Sequence, residues 1–231
     1  MSHMYRVNLL LVIMISLASS SFAAGGGEIV KADPNKHFDP KGKLPSEFTI
    51  ELQNGLRKSL PFEDKRDFEE AKKGFIAAPS YKQIMAEAGH VAWDMGSYEF
   101  LLTDKEYDTI HPSLQRQAVL NMAYGLYEVM PDKIYQIRGY DLANITFIKG
   151  EKGWIIFDPL TAKETAAAAL KFINEQLGER PVTAVVYSHS HADHFGGVRG
   201  VVEEADVRSG KVPVIAPIGF MDHAVSENVY A

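Results

Sequence analysis

An apolar strand, an alanine-rich helix and a second apolar strand follow one another in the C-terminal half of the chain, and this order constrains the fold most strongly. Trp154–Phe157 predicts the first strand, and the helix after it runs to Leu177, where Gly178 is a natural stop. Val182–Tyr187 predicts the second strand. Such a unit pairs its strands in parallel in an α/β fold, and ligands bind just beyond the carboxyl ends of the strands.

Further strands are predicted immediately before this unit. Ile134–Arg138 and Asn144–Lys149 have strand-like patterns, and Gly150–Gly153 is typical of a turn. At the start of the helix, Thr161 and Glu164 have the spacing of a capping box, in which each side chain accepts a hydrogen bond from a free backbone N–H.

The chain before residue 133 is predicted to consist of helices and irregular loops. Asp64–Lys73 is a short charged helix, and Ser80–Ala88 is a second helix between Pro79 and Gly89. Pro112–Glu128 has apolar residues at near-helical spacing, which predicts a longer helix with a core-facing stripe.

Three histidines and an aspartate lie within six residues directly after the second strand: His189, His191, Asp193 and His194. A metal ion needs several lone pairs that converge on one point about 2 Å away. His189 and His191 lie on the same side of an extended segment, and the other two follow where a helix begins, so the four can face two neighbouring points. The glycine pair 196–197 lets the next backbone segment pack closely. The pattern therefore favours a metal site over a histidine-rich surface loop.

Composition narrows the chemistry of this site and the partners of the protein. The 231 residues include no cysteine, which excludes disulfides and thiolate ligands, so zinc would have to be bound by His, Asp or Glu. The net charge of −6 and the lack of any basic run argue against a nucleic-acid partner.

The N-terminus has the pattern of an export signal. Arg6 supplies a positive charge, Leu9–Ala18 is apolar, and Ser21–Ala23 offers the small residues of a cleavage site. A membrane anchor is the alternative, but the apolar stretch is shorter than the roughly 20 residues that span a bilayer. A signal peptide at 1–23 and a periplasmic or secreted mature protein without stable membrane insertion are expected.

The pattern His189-x-His191-x-Asp193-His194, followed by the glycine pair, resembles the signature of the metallo-β-lactamase superfamily. That resemblance implies an αββα sandwich in which His189 and His191 bind one zinc ion and Asp193 and His194 bind a second. It also implies that Asp158 braces the metal loop, against the alternative of a plain turn residue after a strand.

Several longer runs are similar to the alkyl sulfatase branch of this superfamily. They are residues 137–146, 153–160, 191–200 and 221–229, with shorter helical segments at 93–96 and 112–114. The resemblance implies an exported zinc hydrolase that converts small-molecule alkyl sulfates into an alcohol and sulfate, and that forms a homodimer when full length.

The resemblance also implies that this chain is an N-terminal piece of such an enzyme, because only 37 residues follow His194. Residues 24–133 are then a helical and irregular region, and residues 134–231 hold the first half of the sandwich, which alone is expected to be inactive. The family's remaining ligands have no counterpart here, and His223 is interpreted as structural. Arg138 is a candidate sulfate contact, although an arginine on a strand is more often a surface or ion-pair residue.

Two alternative functions remain open on the sequence alone. One is another hydrolase of the same fold, such as a lactonase or a thioesterase-like enzyme, because the fold does not fix the substrate. The other is a non-catalytic zinc-binding fragment.

Overall fold

The structure is a computed structural model that describes residues 44–103 and 105–229. From Pro45 onward the chain forms one compact unit. The expected signal peptide at 1–23 lies outside the described residues. Among the helices of the described residues, none has both the length and the apolar character needed to cross a bilayer.

Six α-helices and nine strands are present in the described part of the chain. The helices are α1 Glu47–Ser59, α2 Arg66–Glu70, α3 Pro112–Asn121, α4 Lys163–Leu177, α5 Glu204–Arg208 and α6 Phe220–Val229. The strands are β1 Phe75–Ala77, β2 Gln83–Met85, β3 Val91–Asp94, β4 Gly125–Met130, β5 Ile134–Arg138, β6 Ile145–Lys149, β7 Trp154–Phe157, β8 Val182–Val186 and β9 Val214–Ile215. Short 3₁₀ segments occupy Glu99–Leu102, Ala192–His194 and Gly196–Gly200.

Seven strands form one mixed sheet in the order β1-β4-β5-β6-β7-β8-β9, and β2 and β3 form a separate hairpin. The first four pairings in the large sheet are antiparallel. The β7–β8 and β8–β9 pairings are parallel. Because α4 connects β7 to β8, the predicted strand–helix–strand unit is confirmed.

The core lies between one face of this sheet and α4. Tyr135, Phe147, Ile156 and Val185 are direct neighbours across four strands, so they share that face, and all four are buried. From α4, Phe172 packs into the same cluster, together with the alanines of that helix. This packing fixes the carboxyl ends of β7 and β8 relative to each other.

The strands predicted from residue 134 onward and the predicted end of the alanine-rich helix α4 agree with the structure. Strands β5 and β7 have the expected bounds, and the strands expected at 144–149 and 182–187 are each one residue shorter. Gly178 ends α4 with φ of 94°, and its N–H donates to the carbonyl of Asn174. The charged helix expected at 64–73 is shorter than predicted, because only residues 66–70 are α-helical before a turn at Gly74.

The prediction of a helix at Ser80–Ala88 is wrong. Those residues contribute β2, which pairs with β3 in an antiparallel hairpin, and Ile84 is buried between two exposed neighbours. Gly89, with φ of 86°, lies in the turn of this hairpin. A proline and a glycine can bracket a short strand as well as a helix. The segment at 93–96, which was also expected to be helical, is the end of β3 followed by a turn.

The helix predicted at Pro112–Glu128 is too long. Helix α3 ends at Asn121, and Gly125, with φ of 137°, begins β4. Leu126 is fully buried, but in a strand of the large sheet. The region 24–133 therefore contributes four strands in its described part, two of them in the large sheet, and is not only helical and irregular. The division of the chain at residue 134 stays a prediction.

The capping box at the start of α4 is also wrong. The N-cap residue is Ala162, and no side chain next to it in sequence caps the helix. Instead the buried carboxylate of Asp141 accepts hydrogen bonds from the backbone N–H groups of Thr161 and Ala162 and from the hydroxyls of Thr161 and Thr165. The carboxylate thus places negative charge at the positive end of the helix.

Candidate metal centre

The candidate site lies at the carboxyl ends of the parallel strands β7 and β8. Asp158 directly follows β7, and Tyr187–Phe195, which we call the metal loop, directly follows β8. The two meet because the backbone N–H of Ser188 donates to Oδ1 of Asp158 at 2.8 Å and the Ser188 hydroxyl donates to Oδ2 at 2.6 Å. Asp158 has φ of 55°, a conformation that aspartate tolerates better than most residues, and its side chain reaches the loop.

The metal loop brings its three histidines together. The ring of His189 lies 4.6 Å from that of His191 and 4.1 Å from that of His194, between centroids. Asp193 adjoins this group, because its Oδ2 lies 3.4 Å from Nε2 of His194. The four residues predicted as ligands are thus neighbours in space.

One cluster of possible ligand atoms is compact. Atoms of Asp158, His189 and His194 all lie within 4.8 Å of one another. Asp158 was predicted to brace the loop, and the structure places it both in that bracing position and among these atoms. His191 and Asp193 lie beside the cluster through their contacts with His189 and His194. The assignment of individual ligands to two ions stays a prediction.

Hydrogen bonds direct the imidazoles. Nδ1 of His194 lies 2.9 Å from Oδ2 of Asp158, and the tautomer that donates through Nδ1 keeps its Nε2 lone pair free. The Ser188 hydroxyl donates to Asp158, so its oxygen is free to accept from Nδ1 of His189 at 2.8 Å. A carboxylate that fixes the imidazole tautomer in this way is typical of histidines that bind metal.

The donor set fits a cation. With Nδ1 of His194 directed to Asp158, its Nε2 lone pair faces the carboxylate of Asp193 at 3.4 Å. A metal ion would stabilise a nitrogen and an oxygen donor that lie this close together. With only imidazole and carboxylate donors, the site suits zinc or a related divalent metal.

Aromatic residues lie at both ends of the metal loop. Tyr187 and Phe195 precede and follow the histidine motif, and their rings lie 5.9 Å apart, between centroids. Burial raises the pKa of Tyr187 to about 12, so its phenol stays uncharged at neutral pH. Both rings are half-buried beside the loop.

The other residues singled out from sequence lie away from this cluster. The guanidinium of Arg138 stacks over the Tyr127 ring at 4.2 Å, and its Nε donates to Gln136, so its visible role is packing. His223 is exposed on α6, and its interpretation as a structural residue stays a prediction. Ser188 was missed, although its position directly before the histidine motif was the available signal.

The chain is similar to known proteins over most of its length. A model of the metallo-β-lactamase superfamily matches residues 138–231. Over 189 residues the chain is 55% identical to an (R)-specific secondary-alkylsulfatase of Pseudomonas sp.. The aligned region is 82% of this chain and 28% of that protein. It is 49% identical over 190 residues to a linear primary-alkylsulfatase of Pseudomonas sp., again over 82% of this chain and 28% of the relative.

A solved structure is similar as well. The stereoselective inverting sec-alkylsulfatase Pisa1 from Pseudomonas sp. superposes with a TM-score of 0.76 at 53% identity, over 81% of this chain and 29% of that one. The chain thus spans less than a third of the length of these relatives. Residues 138–231 thus match the metallo-β-lactamase superfamily, and 81–82% of the chain is similar to alkylsulfatases.

Proposed function

We propose that the complete gene product is a zinc-dependent hydrolase that converts alkyl sulfate esters into an alcohol and sulfate. The observation that carries the proposal is the 55% identity to a secondary-alkylsulfatase over 189 residues. The cluster of imidazoles and carboxylates at the end of β8 supports it, because it offers the donors that a hydrolytic metal site needs.

The chain's own residues position the ligands. Asp158 accepts from Ser188 and faces Nδ1 of His194, which leaves the Nε2 atom of that ring available. We propose His189, His191, Asp193 and His194 as ligands for two ions. When bound there, zinc supplies positive charge opposite the departing sulfate and lowers the pKa of water.

The relatives' names bear on which bond breaks. The sec-alkylsulfatase Pisa1 is described as inverting. Inversion at the carbon of a secondary ester requires water to attack that carbon as the C–O bond breaks, since cleavage at sulfur leaves the carbon untouched. We propose the same course here for secondary esters, so that ROSO₃⁻ and H₂O give ROH and HSO₄⁻ with the water oxygen in the alcohol. Reaction in ¹⁸O-water, followed by mass spectrometry of both products, tests this.

The substrate class is tested by a side-by-side assay. Purified, zinc-loaded complete gene product is supplied with dodecyl sulfate, a secondary alkyl sulfate, a homoserine lactone and a glutathione thioester. We expect sulfate release from at least one sulfate ester and no turnover of the lactone or thioester. Turnover of the lactone or the thioester without sulfate release would reject the proposed substrate and would still be consistent with a hydrolase of the same superfamily.

We also propose that the protein is exported and dimeric. The apolar stretch at residues 9–18 supports export to the periplasm or medium. Mass spectrometry of the exported protein is expected to find an N-terminus near Ala24, and light scattering is expected to find a dimer. Residues 1–20 retained in the mature form, or a monomeric mass, would reject the corresponding statement.

A further inference from the structure

Helix α6 contacts the metal loop through residues that the proposed function leaves without a role. The hydroxyl of Ser190 donates to Oε2 of Glu227 at 2.7 Å, and the side-chain amide of Asn228 donates to the carbonyl of Ser190 at 3.3 Å. Ser190 lies between His189 and His191 and is only 8% exposed. The contact therefore engages the middle of the metal loop from both its side chain and its backbone.

The same helix contacts the two ends of the loop. The ring of Phe220 lies 5.3 Å from that of Tyr187 and 5.2 Å from that of Phe195, between centroids. Phe220 and Glu227 are seven residues apart, which is about two helical turns, so they lie on the same side of α6. One face of the helix thus contacts the loop before, within and after the histidine motif.

The position of Ser190 links this contact to the metal ligands. Ser190 is bonded to both His189 and His191, so a contact that holds Ser190 in place also limits the directions in which these two histidines can point. Their rings are indeed neighbours, 4.6 Å apart between centroids. A metal site loses affinity when its ligands depart by a few tenths of an ångström from the bonding distance.

We propose that Glu227 and Asn228 are positioning residues, which hold Ser190 so that His189 and His191 are oriented for metal binding. The inference rests on the proposed function only in taking these two histidines as ligands. Glu227 does not belong to the compact cluster of possible ligand atoms, which within the described residues comes from Asp158, His189 and His194. The proposed positioning gives a physical role to two residues of the segment 221–229, whose sequence resembles alkyl sulfatases.

The hydrogen bond from Ser190 to Glu227 has a charged acceptor, which makes it stronger than a neutral one. Glu227→Ala removes the acceptor, and Ser190→Ala removes the donor. Glu227→Gln removes the charge but keeps a side-chain oxygen that can accept. The three substitutions therefore separate the loss of the contact from the loss of charge.

The test is the zinc Kd of the purified complete gene product, measured by competition with a chromophoric chelator at fixed pH. Loss of a group that orients a ligand typically weakens binding about 10–100-fold. We expect Glu227→Ala and Ser190→Ala each to raise Kd about 10-fold, and the double variant to match either single one, because both remove one shared contact. Glu227→Gln is expected to stay within about threefold of wild type, since the acceptor remains.

Ser226→Ala is the matched control, because Ser226 is exposed on the same helix and makes no side-chain hydrogen bond within the described residues. Its Kd is expected to be unchanged, and the Tm of each metal-free variant shows whether it is folded. If Glu227→Ala fails to fold, Ser190→Ala carries the test.

Unchanged zinc Kd in Ser190→Ala and Glu227→Ala would overturn the proposal, and so would a Glu227→Gln variant as weak as Glu227→Ala. A wild-type protein that binds zinc but releases no sulfate would reject the proposed substrate and leave this inference intact.

Discussion

At Gly197 the backbone that follows the metal loop packs closely against the backbone of residues 159–162. The 3₁₀ segment of Gly197 follows the metal loop, and the N–H of Gly197 donates to the carbonyl of Leu160 at 2.8 Å. A Cβ at this position would lie 2.2 Å from the carbonyl oxygen of Pro159 and 2.6 Å from that of Ala162. Both are backbone atoms before or at the start of α4, so neither can rotate away as a side chain would.

We therefore expect Gly197→Ala to cost about 3 kcal/mol of unfolding free energy, the upper end of the usual range for overpacking. For a domain of this size, 1 kcal/mol corresponds to roughly 2–4 °C, so Tm should fall by roughly 6–12 °C. Differential scanning calorimetry of the zinc-free complete gene product measures this. Gly55→Ala is the control, because Gly55 lies in α1 with nothing within 4 Å of the added Cβ. Its stability should be unchanged or raised by up to about 1 kcal/mol. Equal Tm values for both variants would refute the reasoning.

Three further predictions concern the site, the helix that supports it and the substrate. Asp158→Ala removes the acceptor for Ser188 and the partner of His194. We expect the zinc Kd, measured by chelator competition, to rise about 10–100-fold. An unchanged Kd would show that Asp158 does not support the site. Asp141→Ala leaves two backbone N–H groups at the start of α4 without their acceptor. We expect a loss of about 3 kcal/mol in urea unfolding, and a loss below about 1 kcal/mol would contradict this role. For linear alkyl sulfates, each added methylene should contribute roughly 0.8 kcal/mol, or about fourfold in KM, until the binding site is filled; a KM independent of chain length would exclude burial of the alkyl chain.

Local patterns were sufficient to predict the part of the fold that carries the site. The strands β7 and β8 and the end of α4 at Gly178 are encoded by runs of apolar residues and by a glycine with positive φ. The histidine motif is also local, so its placement beyond β8 followed from the strand alone. These features need no information about distant residues.

The features that were missed depend on contacts between distant residues. Asp141 caps α4 from 20 residues away in sequence, which no local pattern indicates. Thr161 and Glu164 have the spacing of a capping box, but that capping box does not form. Glu227 reaches Ser190 across 37 residues, and no local pattern indicates that contact. The hairpin at β2 and β3 was mistaken for a helix because a three-residue strand is too short to show its alternation clearly.

The most direct test of the central claim is sulfate release from an alkyl sulfate as zinc is returned to metal-free protein. The complete gene product is stripped with a chelator, titrated with zinc and assayed with dodecyl sulfate by ion chromatography. We expect no sulfate from the stripped protein and a rise that levels off at about two zinc ions per chain, as a two-metal hydrolytic site requires. Sulfate release that persists in the stripped protein, or that stays absent at saturating zinc, would contradict the proposal that the complete gene product is a zinc-dependent alkylsulfatase.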